Sequence, residues 1–105
     1  MKIEIKEITK DELTGLLKKA KTWDDLAQVT AKIIDLTAKL NEENASLFGK
    51  RPDKNLTVKN MLSMLDTQKT FEEQATFINK LVDRCVSLNE ENNTRKTKLP
   101  EDPIR

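Results

Sequence analysis

Lys32-Ile33-Ile34-Asp35, followed by Leu40-Asn41-Glu42-Glu43-Asn44, recurs at an offset of 48 as Lys80-Leu81-Val82-Asp83, followed by Leu88-Asn89-Glu90-Glu91-Asn92. The match extends without a gap over residues 6–53 and 54–101. Lys21-Thr22-Trp23-Asp24-Asp25 falls on Lys69-Thr70-Phe71-Glu72-Glu73, Leu16-Leu17 on Met64-Leu65, Thr9 on Thr57, and Pro52-Asp53 on Pro100-Glu101. Fifteen of the 48 pairs are identical, where ordinary residue frequencies give roughly three. A period of this length, read before any local pattern, predicts two copies of one supersecondary unit.

Each unit reads as two helices. Thr9 can cap the first, with Glu12 completing a capping box and Ile8 at the staple position. Leu13, Leu16, Leu17 and Ala20 then follow at helical spacing; the second copy has Leu56 in the place of Ile8, and Met61, Met64 and Leu65 in the places of Leu13, Leu16 and Leu17. A second cap follows at once, Thr22 with Asp25 and Thr70 with Glu73. It opens a longer helix from Trp23 to about Ala45, and from Phe71 to about Asn93. So short a link makes each unit an antiparallel or sharply angled hairpin. Gly49 and Pro52 break the chain between units. The predicted fold is all-α: four helices as two tandem 48-residue hairpins in a pseudo-twofold helical bundle, with a short two-repeat solenoid as the alternative. Residues 1–105 form one domain, with an extended N-terminal arm over 1–7 and a loose C-terminal tail over 94–105.

Composition narrows the function. Nineteen basic and eighteen acidic residues leave a net charge of +1, and neither half is strongly biased. No basic arm marks a nucleic-acid or anionic-membrane partner. Histidine is absent and Cys85 is the only cysteine, so a disulfide within the chain and the usual zinc sets cannot be assembled. The lone thiol, the absence of an apolar leader and the lack of any long apolar run lead to an expected cytoplasmic location with no membrane partner. The excess of lysine over arginine and the many asparagines fit AT-rich coding of the kind phage genes carry.

The long helices each carry a broad apolar side. Differences between the copies single out an extra strip on the first: Leu26, Val29, Ile33, Leu36, Leu40 and Leu47, with Phe48 at its end. Gln74, Arg84, Arg95 and Lys96 replace Leu26, Leu36, Leu47 and Phe48 in the second copy. Two readings stand side by side. Ile3 and Ile5 of the arm cover the strip, or it is a contact surface for another protein or a second copy in a homodimer.

Other constellations give weaker alternatives. Lys18, Lys19 and Lys21, with Lys50 and Arg51, are the candidate nucleic-acid contacts, but cations at helix C-termini follow from the dipole alone. No tyrosine supplies a stacking platform. Asp35, Glu42, Asp83 and Glu90, paired along a helix face, could hold Mg²⁺ for a nucleotide hydrolase, but they fall opposite the apolar stripe. Asn41, Asn44, Asn89 and Asn92 read as helix-ending residues, with a polar recognition pair as the alternative. Cys85 reads as a small core residue. The sequence therefore predicts a non-enzymatic interaction module, a small helical adaptor or inhibitor, with no cofactor and no small-molecule substrate. A nucleic-acid-binding regulator comes second and the hydrolase third.

Overall fold

The computed structural model describes residues 3–98, and its regular structure is helical throughout: α1 (Lys10–Lys19), α2 (Trp23–Phe48), a 3-10 turn (Lys54–Leu56), α3 (Val58–Leu65) and α4 (Phe71–Lys98). No strand occurs among the described residues, and residues 3–9 carry no regular structure. Ile3, Ile5 and Ile8 nonetheless pack against the core.

A threonine starts every helix. The hydroxyls of Thr9, Thr22, Thr57 and Thr70 accept from the backbone N–H groups of Glu12, Asp25, Asn60 and Glu73 at 3.0–3.3 Å. Each satisfies one donor that a helix N-terminus leaves free. Glu73 closes a full capping box by accepting from Thr70 N at 3.2 Å. Glu12 reaches one turn further back, to Lys6 N.

The helix ends differ from expectation for a local reason. Gly49 adopts φ 63° and ψ 41°, and Lys50 N donates to Ala45 O at 2.9 Å. This left-handed cap carries α2 through Phe48, past Ala45. Thr97, at the position matching Gly49, offers no such cap, so α4 continues to Lys98. Residues 94–98, expected as loose tail, are therefore helical. Residues 99–105, including Ile104, lie outside the described residues.

The two long helices run parallel. At one end the rings of Trp23 and Phe71 meet edge-on at 5.5 Å, and at the other the Asn44 and Asn92 side chains bond at 2.8 Å. Both pairs join a residue to the one 48 positions on, so the helices are in register along their length. Core positions recur every seven residues: Thr30, Thr37 and Asn44 on α2, and Ile78, Cys85 and Asn92 on α4, all buried. That is the seam of a parallel coiled coil. Leu26, Ile33, Leu40, Leu81 and Leu88 fill the layers between. The short helix α1 turns back and packs on both α4 and α2, burying Leu13 and Leu16; the 3-10 turn and α3 pack on α2, burying Leu56 and Met61.

Candidate functional site

Three side-chain groups mark where chemistry or binding could occur: the polar end of the α2–α4 seam, the aromatic tip beyond it, and the outer side of α3.

At the seam's end the repeated Leu-Asn-Glu-Glu-Asn segment acts residue by residue. Leu40 and Leu88 are core. Asn41 and Asn89 grip the chain entering the short helices. Asn41 Nδ2 donates to Asp53 O at 2.9 Å and its Oδ1 accepts from Asp53 N at 3.0 Å, while Asn89 Nδ2 donates to Ile8 O at 3.4 Å. Asn44 Nδ2 donates to Asn92 Oδ1 at 2.8 Å and to Glu91 Oε1 at 2.8 Å. Asn92 Nδ2 donates to Leu40 O at 3.1 Å and Glu43 Oε1 at 3.0 Å. Each amide is thus held by the glutamate of the other helix, and the asparagines bridge helices instead of ending them. Lys96 pairs with Glu43 at 2.8 Å. Its hydrogen bond holds the Glu43 carboxyl below the usual range against partial burial, with Asn92 adding to the effect.

Beyond this lies Phe48, exposed, with Lys50 Nζ 5.8 Å and the Arg95 guanidinium 5.4 Å from its ring centre. Arg95 Nε also donates to Leu47 O at 3.2 Å. These cations cover the ring that α2 leaves at its tip.

The third group is apolar and bare. In α3 only Met61 is fully buried; Val58, Leu62 and Met64 are 44%, 46% and 37% exposed. Val58 and Leu62 stand one turn apart and make one ridge. The residues 48 positions earlier, on α1, are Lys10 and Thr14. There Lys10 pairs with Asp83 at 3.3 Å, and Thr14 lines the groove where α1 meets Ala75, Thr76 and Asn79 of α4. Trp23 is also exposed.

The expected contact strip is mostly interior. Leu26, Val29 and Ile33 have no exposed surface and Leu40 has 7%. Leu36 and Leu47 are half-buried, and only Phe48 is open. The correction has a simple cause. The α2 helix is covered by the α4 seam, by α1 with the arm, and by the 3-10 turn with α3, so its apolar sector is wider than one interface requires.

The nucleic-acid candidates do not converge. Lys18, Lys19 and Lys21 are exposed at the start of α2, whereas Lys50 and Arg51 are exposed beyond its end. A helix of 26 residues separates them by about 39 Å at its ordinary rise. The carboxylates do not converge either. Asp35 pairs with Lys39 and Asp83 with Lys10, Glu42 and Glu90 are exposed, and no group of three potential metal ligands occurs among the described residues. Parallel pairing turns their shared face outward on both helices, so the four carboxylates do not gather into one cluster.

Cys85 is buried in the seam opposite Thr37. Burial pushes its thiol above the ordinary value, with the Thr37 hydroxyl acting the other way, which leaves it a poor nucleophile.

The apolar residues that α2 carries beyond those of α4 do not point to the α3 ridge. The reverse comparison, Val58 against Lys10 and Leu62 against Thr14, carries the signal. Comparison of the chain with protein-family models, with curated proteins and with solved structures gives no match.

Proposed function

We propose that this chain is a non-enzymatic protein-binding module, formed by internal duplication of a helical hairpin, with α3 as its contact face. The single observation that carries the reading is the concentration of open apolar surface. Of the five large hydrophobic side chains exposed among the described residues, three (Val58, Leu62 and Met64) belong to the eight residues of α3. Single exposed hydrophobics are ordinary; a cluster on one short element is the mark of an interface.

Duplication is supported by matched helix starts, Lys10 with Val58 and Trp23 with Phe71, both at the offset of the sequence match. In-register α2 and α4 relate the two hairpins by a pseudo-twofold axis along the long helices. After such a duplication both short helices carry the same packing duty, and one is free to diverge on its outer side.

The test replaces Val58 and Leu62 with their first-copy counterparts, Val58→Lys with Leu62→Thr. Both sites are exposed, so helicity and melting temperature are expected to stay close to wild type. Quantitative affinity capture from the organism of origin is expected to retain a partner with the wild type and lose it with the variant. Sedimentation of both proteins covers the case in which the partner is a second copy. A partner, or a self-association, that survives the double change would remove α3 from the interface.

A further inference from the structure

Resting on the reading of α3 as the contact face, we propose that its occupant is an acidic amphipathic helix of a partner protein. Two independent features of the same stretch point there. The first is shape. Val58 and Leu62 form a ridge along a helix, and ridges of this kind seat between the i, i+3 and i+4 side chains of a second helix. No sheet edge exists among the described residues for an extended peptide to join, so helix-on-helix docking is the recognition mode the fold provides.

The second is charge. Residues 50–65 carry Lys50, Arg51, Lys54 and Lys59 against Asp53 alone, a net of +3. The equivalent residues 2–17 carry three lysines against Glu4, Glu7, Asp11 and Glu12, a net of −1. All four acids are gone from the second copy, replaced by Pro52, Asn55, Lys59 and Asn60. The one acid present, Asp53, is itself paired with Arg84 at 3.8 Å. Lys50, Arg51, Lys54 and Lys59 are exposed, and none takes part in an ion pair among the described residues. The same short element has thus gained apolar side chains on its outer ridge and lost all four acids that surround its first-copy counterpart. An apolar ridge on a stretch whose cations lack carboxylate partners, with Asp66 as the one acid a turn beyond Leu62, is complementary to an apolar stripe flanked by glutamate and aspartate.

A display library of twenty-residue helical peptides tests this directly. Each peptide carries a fixed apolar stripe, with glutamate and lysine randomised on the flanking positions, and selection uses the full-length protein. Selected peptides are expected to be rich in glutamate over lysine. Their affinity is expected to fall about tenfold or more with Val58→Lys/Leu62→Thr, and comparably with Asn55→Glu/Lys59→Asp, which restores acids of the first copy. Raising salt from about 0.05 to 0.5 M should weaken them as screening requires. Winners without acidic bias that still depend on Val58 and Leu62 would overturn the acidic occupant while leaving the contact face in place. Winners indifferent to Val58 and Leu62, or no winners at all, would overturn both. The charge bias of the selected pool needs no variant, and circular dichroism of each variant confirms that lost binding is not lost folding.

Discussion

Two asparagines sit buried at the polar end of the coiled-coil seam. Asn44 and Asn92 are 2% and 0% exposed, and each has its amide N–H groups satisfied by the opposite helix. A buried amide that loses its partner costs about 1–3 kcal/mol. Asn92→Ala is therefore expected to lower the melting temperature by several degrees, roughly 4–8 °C per kcal/mol at this size. Replacing both asparagines by leucine should cost less than the sum of the single changes, because no orphaned group remains. A thermal double-mutant cycle reads both. Thr30 offers the opposite case: its buried hydroxyl has no partner, so Thr30→Val is expected to stabilise by about 1 kcal/mol, seen as a raised denaturation midpoint. The lowered pKa of Glu43 adds a pH signature. A depressed carboxylate contributes stability that is complete above the unfolded value, 4.5, and is lost as pH falls through the folded one. The melting difference between wild type and Glu43→Gln should accordingly shrink on acidification from neutral pH. The repetition of this segment was legible in the sequence, but its role was not. Asn44 finds its partner on the other long helix, far along the chain, and only the register of the two helices reveals the pairing.

At the scale of elements, the starts were easier to read than the ends. Threonine caps announce themselves within three residues, and all four helices begin where such caps predict. Ends depend on the residue just past the last turn: Gly49 extends and then closes α2, while Thr97 in the matching place lets α4 run on. Gly49→Ala places a Cβ on a left-handed backbone with open space around it. The cost is thus conformational alone, about 1 kcal/mol, and a chemical denaturation curve should show it with an unchanged slope. Faces were harder. A run such as Leu26, Val29, Ile33, Leu36 and Leu40 is the same string of letters whether one neighbour covers it or several. Its burial became clear only when α1 folded back beside the seam. The exposed ridge of α3 lay hidden for the converse reason, since Val58 and Leu62 look like ordinary core letters until set against Lys10 and Thr14.

The whole molecule is an elongated body, 55 × 26 × 17 Å, whose long axis follows the paired helices α2 and α4. That pairing decides which surfaces the molecule presents. It buries most of the strip that the sequence offered as a surface, turns the carboxylates outward, and leaves α3 as the open element. The α2 and α4 helices lie parallel and in register at an offset of 48, and Cys85 provides the means to test this. As the only cysteine in the chain, it faces Thr37 across the seam. Thr37→Cys places a second thiol opposite it, and seam positions in a parallel pair lie within disulfide reach. Mild oxidation of the monomer is expected to consume both thiols in one intramolecular bond, read by intact mass and by mobility on a non-reducing gel. Ala31→Cys, exposed and nearly two turns along α2 from Thr37, should leave both thiols free. Free thiols in oxidised Thr37→Cys, or a bond formed as readily from Ala31→Cys, would contradict the in-register parallel pair and the surface assignments built on it.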